Sequence, residues 1–145
     1  MILFSSALEF GTNSNIIMNN LIIDAAGNKI FLTLIIDKNI YTCSHENSKI
    51  NFEKLTILIN DFLIKNEILL SSIKVIYINR GPGSFAGIRN SLSVIKALFL
   101  TKKIDYYCFS FSDFGMSDKI KYEDVPYLCD KFKIKKNLIN PLYLS

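Results

Sequence analysis

The apolar and polar positions of this chain change period several times. Leu21-Ile22-Ile23 is a short apolar run that closes on Asp24-Ala25-Ala26-Gly27-Asn28, and Gly27-Asn28 is a hairpin-type turn signal. Ile30 to Asp37 is a second, β-branched run, Lys38-Asn39 reads as the next turn, and Ile40 to Cys43 is a third strand. These three segments predict an antiparallel meander. Met18 stands just before the first strand, and residues 1–17 read as an extension outside the native start.

Residues 50–66 switch to a helical period. Phe52, Leu55, Leu58, Ile59, Phe62 and Leu63 fall at three/four spacing and form the expected core face. Ile57 and Ile64, seven apart, lie off that stripe. They suit either scattered surface apolar residues or a second buried face against a partner helix. Ile73 to Asn79 predicts a buried strand. A helix follows to about Leu100, with Phe85, Ile88, Leu92, Ile95 and Phe99 as its core stripe. A separate line carries Gly87, Ser91, Val94 and Leu98, small residues giving way to larger ones, which lets another helix approach closely. Ile104 to Phe109 predicts a fifth strand.

The order strand-strand-strand-helix-strand-helix-strand predicts an α/β fold with a mixed sheet of ribonuclease-H type. Beyond Ser110 the chain turns polar and Lys-rich. Residues 115–145 read as an irregular connector and C-terminal tail, with at most a short helix over Tyr122 to Phe132 and anchors at Val125, Tyr127 and Leu128. The domain reading is therefore an extension over 1–17, a first lobe over 18–114 and the connector with its tail over 115–145.

Length and composition narrow this picture. The chain has 145 residues, 50% of them hydrophobic, enough for one cored domain. No apolar run approaches the roughly 18 residues of a membrane-spanning helix. The net charge of +4 allows an anionic partner without requiring one. Lys outnumbers Arg by 15 to 2, and both arginines, with three of the six glycines, fall inside Arg80 to Arg89. The run Lys131-Phe132-Lys133-Ile134-Lys135-Lys136 reads as a solvated charge run with some capacity for phosphate.

Cysteine and histidine exclude several chemistries. Cys43, Cys108 and Cys129 are odd in number and none sits at CxxC spacing, so neither a disulfide framework nor a zinc knuckle is expected. They read as small buried hydrophobes in a reducing compartment. His45 is the only histidine, in the polar run Ser44-His45-Glu46-Asn47-Ser48, and reads as an exposed loop residue. A histidine metal pair is impossible. No metal site and no catalytic residue is assigned.

The sharpest feature is the loop Arg80-Gly81-Pro82-Gly83-Ser84-Phe85-Ala86-Gly87-Ile88-Arg89, between a buried strand and a helix. Glycines allow close backbone approach, Pro82 stiffens the turn and Ser84 is placed to cap the helix. Arg80 and Arg89 could add charge-assisted bonds to an anion. A Walker A loop fails, because Gly87 is followed by Ile88. A dinucleotide fingerprint also fits badly, since the spacing is Gly81-x-Gly83-x-x-x-Gly87 and follows the fourth strand. A purely structural strand-to-helix turn stays open by spacing alone.

The run from Val75 to Arg89 closely resembles the hallmark of the bacterial TsaB (YeaZ) family, glycoprotease-like relatives of the subunit TsaD. The resemblance extends over about Asn20 to Phe114. Asn140-Pro141-Leu142-Tyr143-Leu144 is similar to the family's Pro-x-Tyr-Leu-Arg ending. It implies an actin-like ATPase/sugar-kinase superfamily fold and a cytoplasmic, non-catalytic subunit. Such a subunit supports TsaD in forming N6-threonylcarbamoyladenosine in tRNA. TsaD is the implied direct partner, TsaE joins the complex, and tRNA is met through the complex. A homodimer when the chain is alone stays open. The resemblance implies no cofactor on this chain alone, with ATP and metal expected in the partner subunits. Ile57, Ile64, Gly87, Ser91, Val94 and Leu98 are the expected partner-facing residues.

The sequence departs from the family in places. Asp24 is kept, but Ala25-Ala26-Gly27 replaces a hydroxyl-bearing phosphate turn, Ala86 replaces a common Thr, and Ser145 replaces the terminal Arg. The chain reads as a reduced member, a first lobe plus tail. A second reading is a small ATPase or phosphotransferase of the same superfamily, with Asp24 holding the metal and the 80–89 loop the phosphates.

Overall fold

Five strands form one mixed sheet in the computed structural model, which describes residues 19–115 and 119–143. The extension over 1–17, Met18 as a start and the terminal Leu144 and Ser145 lie outside the described residues. Strands β1 (Asn19–Asp24), β2 (Lys29–Ile36) and β3 (Asn39–Glu46) make the antiparallel meander. Strands β4 (Ile73–Asn79) and β5 (Asp105–Phe109) then add in parallel, for a spatial order β3-β2-β1-β4-β5. Ile22 sits at the crossing of both kinds of ladder, opposite Thr33 of β2 and Tyr77 of β4. This is the ribonuclease-H-like α/β arrangement that the element order predicts.

Alternation along the strands decides what each face of the sheet meets. Leu21, Ile23, Ile30, Leu32, Leu34, Ile76 and Ile78 point to one face and are fully buried. That face is covered by α1 (Lys49–Glu53), α2 (Leu55–Lys65) and α3 (Phe85–Lys102). The single helix expected over 50–66 is two helices, broken at Lys54, whose φ of −111° and ψ of 25° leave the helical region. Ser48 caps α1 by accepting from the Asn51 N–H. The break turns Phe52 toward Gly87 of α3 while Leu55, Leu58, Ile59, Phe62 and Leu63 of α2 stay in the core.

His45 is a strand residue, not a loop residue. β3 runs on to Glu46 and His45 pairs with Ile30. β3 is an edge strand with most residues exposed, so it lacks the apolar alternation that marks a half-buried strand.

The chain beyond Ser110 is more than a connector. Short 3-10 turns at Phe111–Phe114 and Tyr122–Asp124 lead into α4 (Val125–Lys131). Phe114, Val125, Leu128 and Cys129 bury themselves with Ile22, Tyr77 and Phe109 on the second face of the sheet. Tyr127, expected as an anchor, is exposed, because it lies on the outer side of α4. Phe85 is also outside the core. As the first residue of α3 it precedes the part of the helix that meets the sheet, and it is 57% exposed.

Candidate functional site

The 80–89 loop is built by close approach to two other segments. A Cβ on Gly83 would stand 2.1 Å from the Ala26 carbonyl oxygen, and one on Gly87 would stand 1.9 Å from that of Ala25. Both glycines therefore let the loop and the start of α3 rest on the β1–β2 turn. The Ser84 N–H donates to Ala26 O at 2.8 Å, and the Ser84 hydroxyl accepts from the Gly87 N–H at 3.1 Å, the expected helix cap. Asn47, just after β3, clamps the same turn through its amide, which donates to the carbonyls of Gly27 and Ala25.

Gly81 serves a different contact. Its φ is +110°, and a Cβ there would stand 2.1 Å from the Leu142 carbonyl oxygen. The Leu142 N–H donates to Arg80 O at 2.8 Å, and the Arg80 N–H donates to Phe109 O at 2.7 Å. The C-terminal tail thus lies directly on the loop. Pro82 is exposed at the loop's crest.

Arg80 is used within the chain. Its Nη2 donates to Asp113 Oδ1 at 2.7 Å, its Nε to Asp113 Oδ2 at 3.3 Å and its Nη1 to Asn140 O at 3.2 Å. The fork on Asp113 is bidentate and both side chains are mostly buried. Arg80 thus ties the 3-10 turn at Phe111–Phe114 and the tail to the loop, where an anion-facing group was expected. Arg89 stays exposed. Its guanidinium lies 5.7 Å from the Phe85 ring centroid, and Phe85 packs on Tyr143 at 4.7 Å.

Asp24 is likewise engaged. Its Oδ1 accepts from the Ala26 N–H at 3.0 Å, and its Oδ2 accepts from the Tyr122 hydroxyl at 2.6 Å. Burial, then the Asp24 carboxylate, pushes the Tyr122 phenol well above its ordinary range. Asp24, Ala25 and Ala26 are all buried. A turn with no hydroxyl, packed under the glycine loop and closed by Tyr122, does not fit a nucleotide phosphate or its metal. Among the described residues no group of three or more His, Cys, Asp and Glu side chains could hold a metal ion. The three thiols are free. Cys43 Sγ lies 3.8 Å from His45 Nε2, and burial raises the Cys43 thiol although Lys65 opposes it.

The off-core residues of α2 and α3 separate into two groups. Gly87 and Ser91 are buried within this chain, Gly87 against Ala25 and Phe52. Their small size serves internal packing, so they offer no surface to a partner. Ile57, Val94 and Leu98 line an apolar groove of about 210 Å³ between α2 and α3, together with Ile59, Leu63 and Leu70. Ile57 is 58% exposed. Ile64 is also exposed but does not line the groove.

The sequence gives no sign of the bonds that Tyr122, Asp113 and Asn140 make to Asp24 and Arg80. Tyr122 meets a partner 98 residues away, and no local pattern marks it. No helix among the described residues is long and apolar enough to cross a membrane.

No protein-family model matches the chain. An alignment of 80 positions, 34% identical, relates it to the tRNA threonylcarbamoyladenosine biosynthesis protein TsaB of Buchnera aphidicola subsp. Baizongia pistaciae. The alignment covers 46% of this chain and 36% of that relative, so the chain matches little more than a third of the relative's length. Among solved structures, YeaZ from Pseudomonas aeruginosa superposes with a TM-score of 0.61 at 19% identity, over 68% of this chain and 46% of that one. A second structure from the same organism, described as similar to the peptidase YeaZ, gives the same values. At that identity the likeness establishes the fold.

Proposed function

We infer, from the premise that this chain is a relative of the TsaB (YeaZ) proteins, that it is a non-catalytic subunit for N6-threonylcarbamoyladenosine formation in tRNA. In this reading it binds and supports TsaD, and TsaE joins the assembly. The observation that carries it is the open apolar groove between α2 and α3, lined by Ile57, Val94 and Leu98. An apolar helix pair left uncovered gains by burying its surface against other helices, roughly 25 cal/mol for each Å² removed from water. The engaged Asp24 and Arg80 favour this reading over a phosphotransferase, because both groups that would meet metal and phosphate are already bonded inside the chain.

The test is co-expression of the tagged chain with TsaD from the same organism, followed by pull-down and sizing. A stable one-to-one complex is expected. Two folded proteins that do not associate would remove the proposed role.

A further inference from the structure

We propose that this chain carries its own tRNA-contacting surface, a basic groove between α3 and the C-terminal tail, separate from the α2/α3 groove. The groove holds about 190 Å³ and is lined by Arg89, Ser93 and Lys96 of α3 with Ile139, Pro141 and Tyr143 of the tail. Arg89, Ser93, Lys96 and Leu100 recur at four/three spacing, so they form one row along the helix. Arg89 and Lys96 are about 10.5 Å apart along the axis, two helical turns.

The charge of this row is uncompensated. α3 contains no Asp or Glu, nor does the tail from Asn137 to Tyr143. Among the described residues the ion pairs are Arg80 with Asp113 and Lys136 with Asp105, so Arg89 and Lys96 have no acidic partner there. A row of free cations along a helix, rather than a cluster converging on one point, suits a polyanionic backbone.

The aromatic groups choose between kinds of polyanion. Phe85, 57% exposed, and Tyr143, 37% exposed, pack on each other at the Arg89 end of the groove, with the Arg89 guanidinium over Phe85. Exposed rings beside a guanidinium offer a stacking surface for unpaired bases, which an acidic polypeptide would not use. At 100° per residue, the Arg89–Lys96 row and the Val94–Leu98 line lie about half a turn apart around α3, with the core stripe between them. A partner seated in the α2/α3 groove therefore leaves the basic groove free. The inference takes only the identity of the nucleic acid, tRNA, from the proposed function.

The experiment is titration of an unmodified tRNA transcript with the purified full chain, read by fluorescence anisotropy across a salt series. Wild type is expected to bind, more weakly as salt rises. Arg89→Gln with Lys96→Gln should weaken binding about tenfold and reduce the salt slope by roughly 1.5, the loss of two phosphate contacts. Phe85→Ala should weaken binding without changing that slope. Lys131→Gln with Lys133→Gln, at and just beyond the C-terminal end of α4, should leave both quantities unchanged, and circular dichroism should be native for every variant. Absence of tRNA binding by wild type, or a slope change confined to the Lys131/Lys133 variant, overturns the proposal. Polyglutamate binding that depends on Arg89 and Lys96, without tRNA binding, also overturns it, in favour of an acidic protein partner. The TsaD pull-down with the Arg89/Lys96 variant separates the two readings. Retained TsaD binding with an unchanged tRNA slope defeats the groove alone, and lost TsaD binding by wild type with intact tRNA binding defeats the subunit role alone.

Discussion

The Tyr122 hydroxyl donates to the Asp24 carboxylate at 2.6 Å, across 98 residues of chain. This bond joins the last residue of β1 to the 3-10 turn that leads into α4. It also ties the two faces of the sheet together, because Asp24 Oδ1 holds the β1–β2 turn on which the glycine loop rests. Tyr122→Phe removes one donor and leaves a buried carboxylate oxygen unmatched. A loss of about 1–3 kcal/mol is expected, read as the shift in urea midpoint at constant slope.

Gly87 and Gly27 predict opposite outcomes for the same substitution. Gly87→Ala places a methyl 1.9 Å from the Ala25 carbonyl oxygen, a backbone atom that cannot swing away. It should cost on the order of 1–3 kcal/mol or block soluble expression. Nothing lies within 4 Å of a Cβ on Gly27. Gly27→Ala should stay within about 0.5 kcal/mol of wild type. Thermal and urea melts of the two variants side by side decide this.

Arg80 is expected to act on the tail. Arg80→Lys keeps the charge but loses the bidentate fork on Asp113 together with the bond to Asn140 O. The tail segment 137–143 should then become sensitive to limited proteolysis at temperatures where wild type resists. Equal protection in both proteins would show that the backbone bonds of Leu142 and Asn137 suffice.

Stability should fall at alkaline pH. Burial pushes the Cys108 thiol up to about 11 and the Cys129 thiol up to about 12, from an ordinary value of 9.0. Above pH 9 the unfolded chain releases these protons while the folded chain keeps them, so the unfolded state binds fewer protons and ΔG of unfolding declines. The contribution is complete below pH 9 and is lost between pH 9 and about 12. Urea midpoints measured from pH 7 to 10.5 should be flat at first and then decrease. The decrease should be smaller in Cys129→Ala, compared with that variant's own midpoint at pH 7.

Val94→Asp sets a carboxylate into the α2/α3 groove at a half-buried position of α3. If the proposed subunit role holds, it should abolish association with TsaD while the far-UV spectrum stays native. Unchanged association would remove Val94 from the interface.

The helix break at Lys54 and the length of β3 illustrate how far local pattern reaches. Phe52 and Leu55 keep the three/four spacing of one helix, and nothing local signals the interruption. The packing of Phe52 beside Gly87 belongs to the tertiary structure. β3 runs on past Cys43 to Glu46 through the polar Ser44-His45-Glu46, since an exposed edge strand carries polar residues on both faces. Gly87 and Ser91 read as a small-residue line awaiting a helix, whereas the close neighbour of Gly87 is the Ala25 carbonyl of the same chain.

The strand periods, the core stripes of the helices and the Ser84 cap follow from neighbouring residues alone, since hydrophobic alternation and capping act over a few positions. The destinations of Arg80, Asp24 and the tail do not. Each pairs across 33 to 98 residues, with Asp113, Tyr122 and the Arg80 carbonyl respectively, and these partners are chosen by which segments the folded sheet brings together. Local spacing can identify a group able to bind an anion; only the closed chain decides whether that group is already bound to itself.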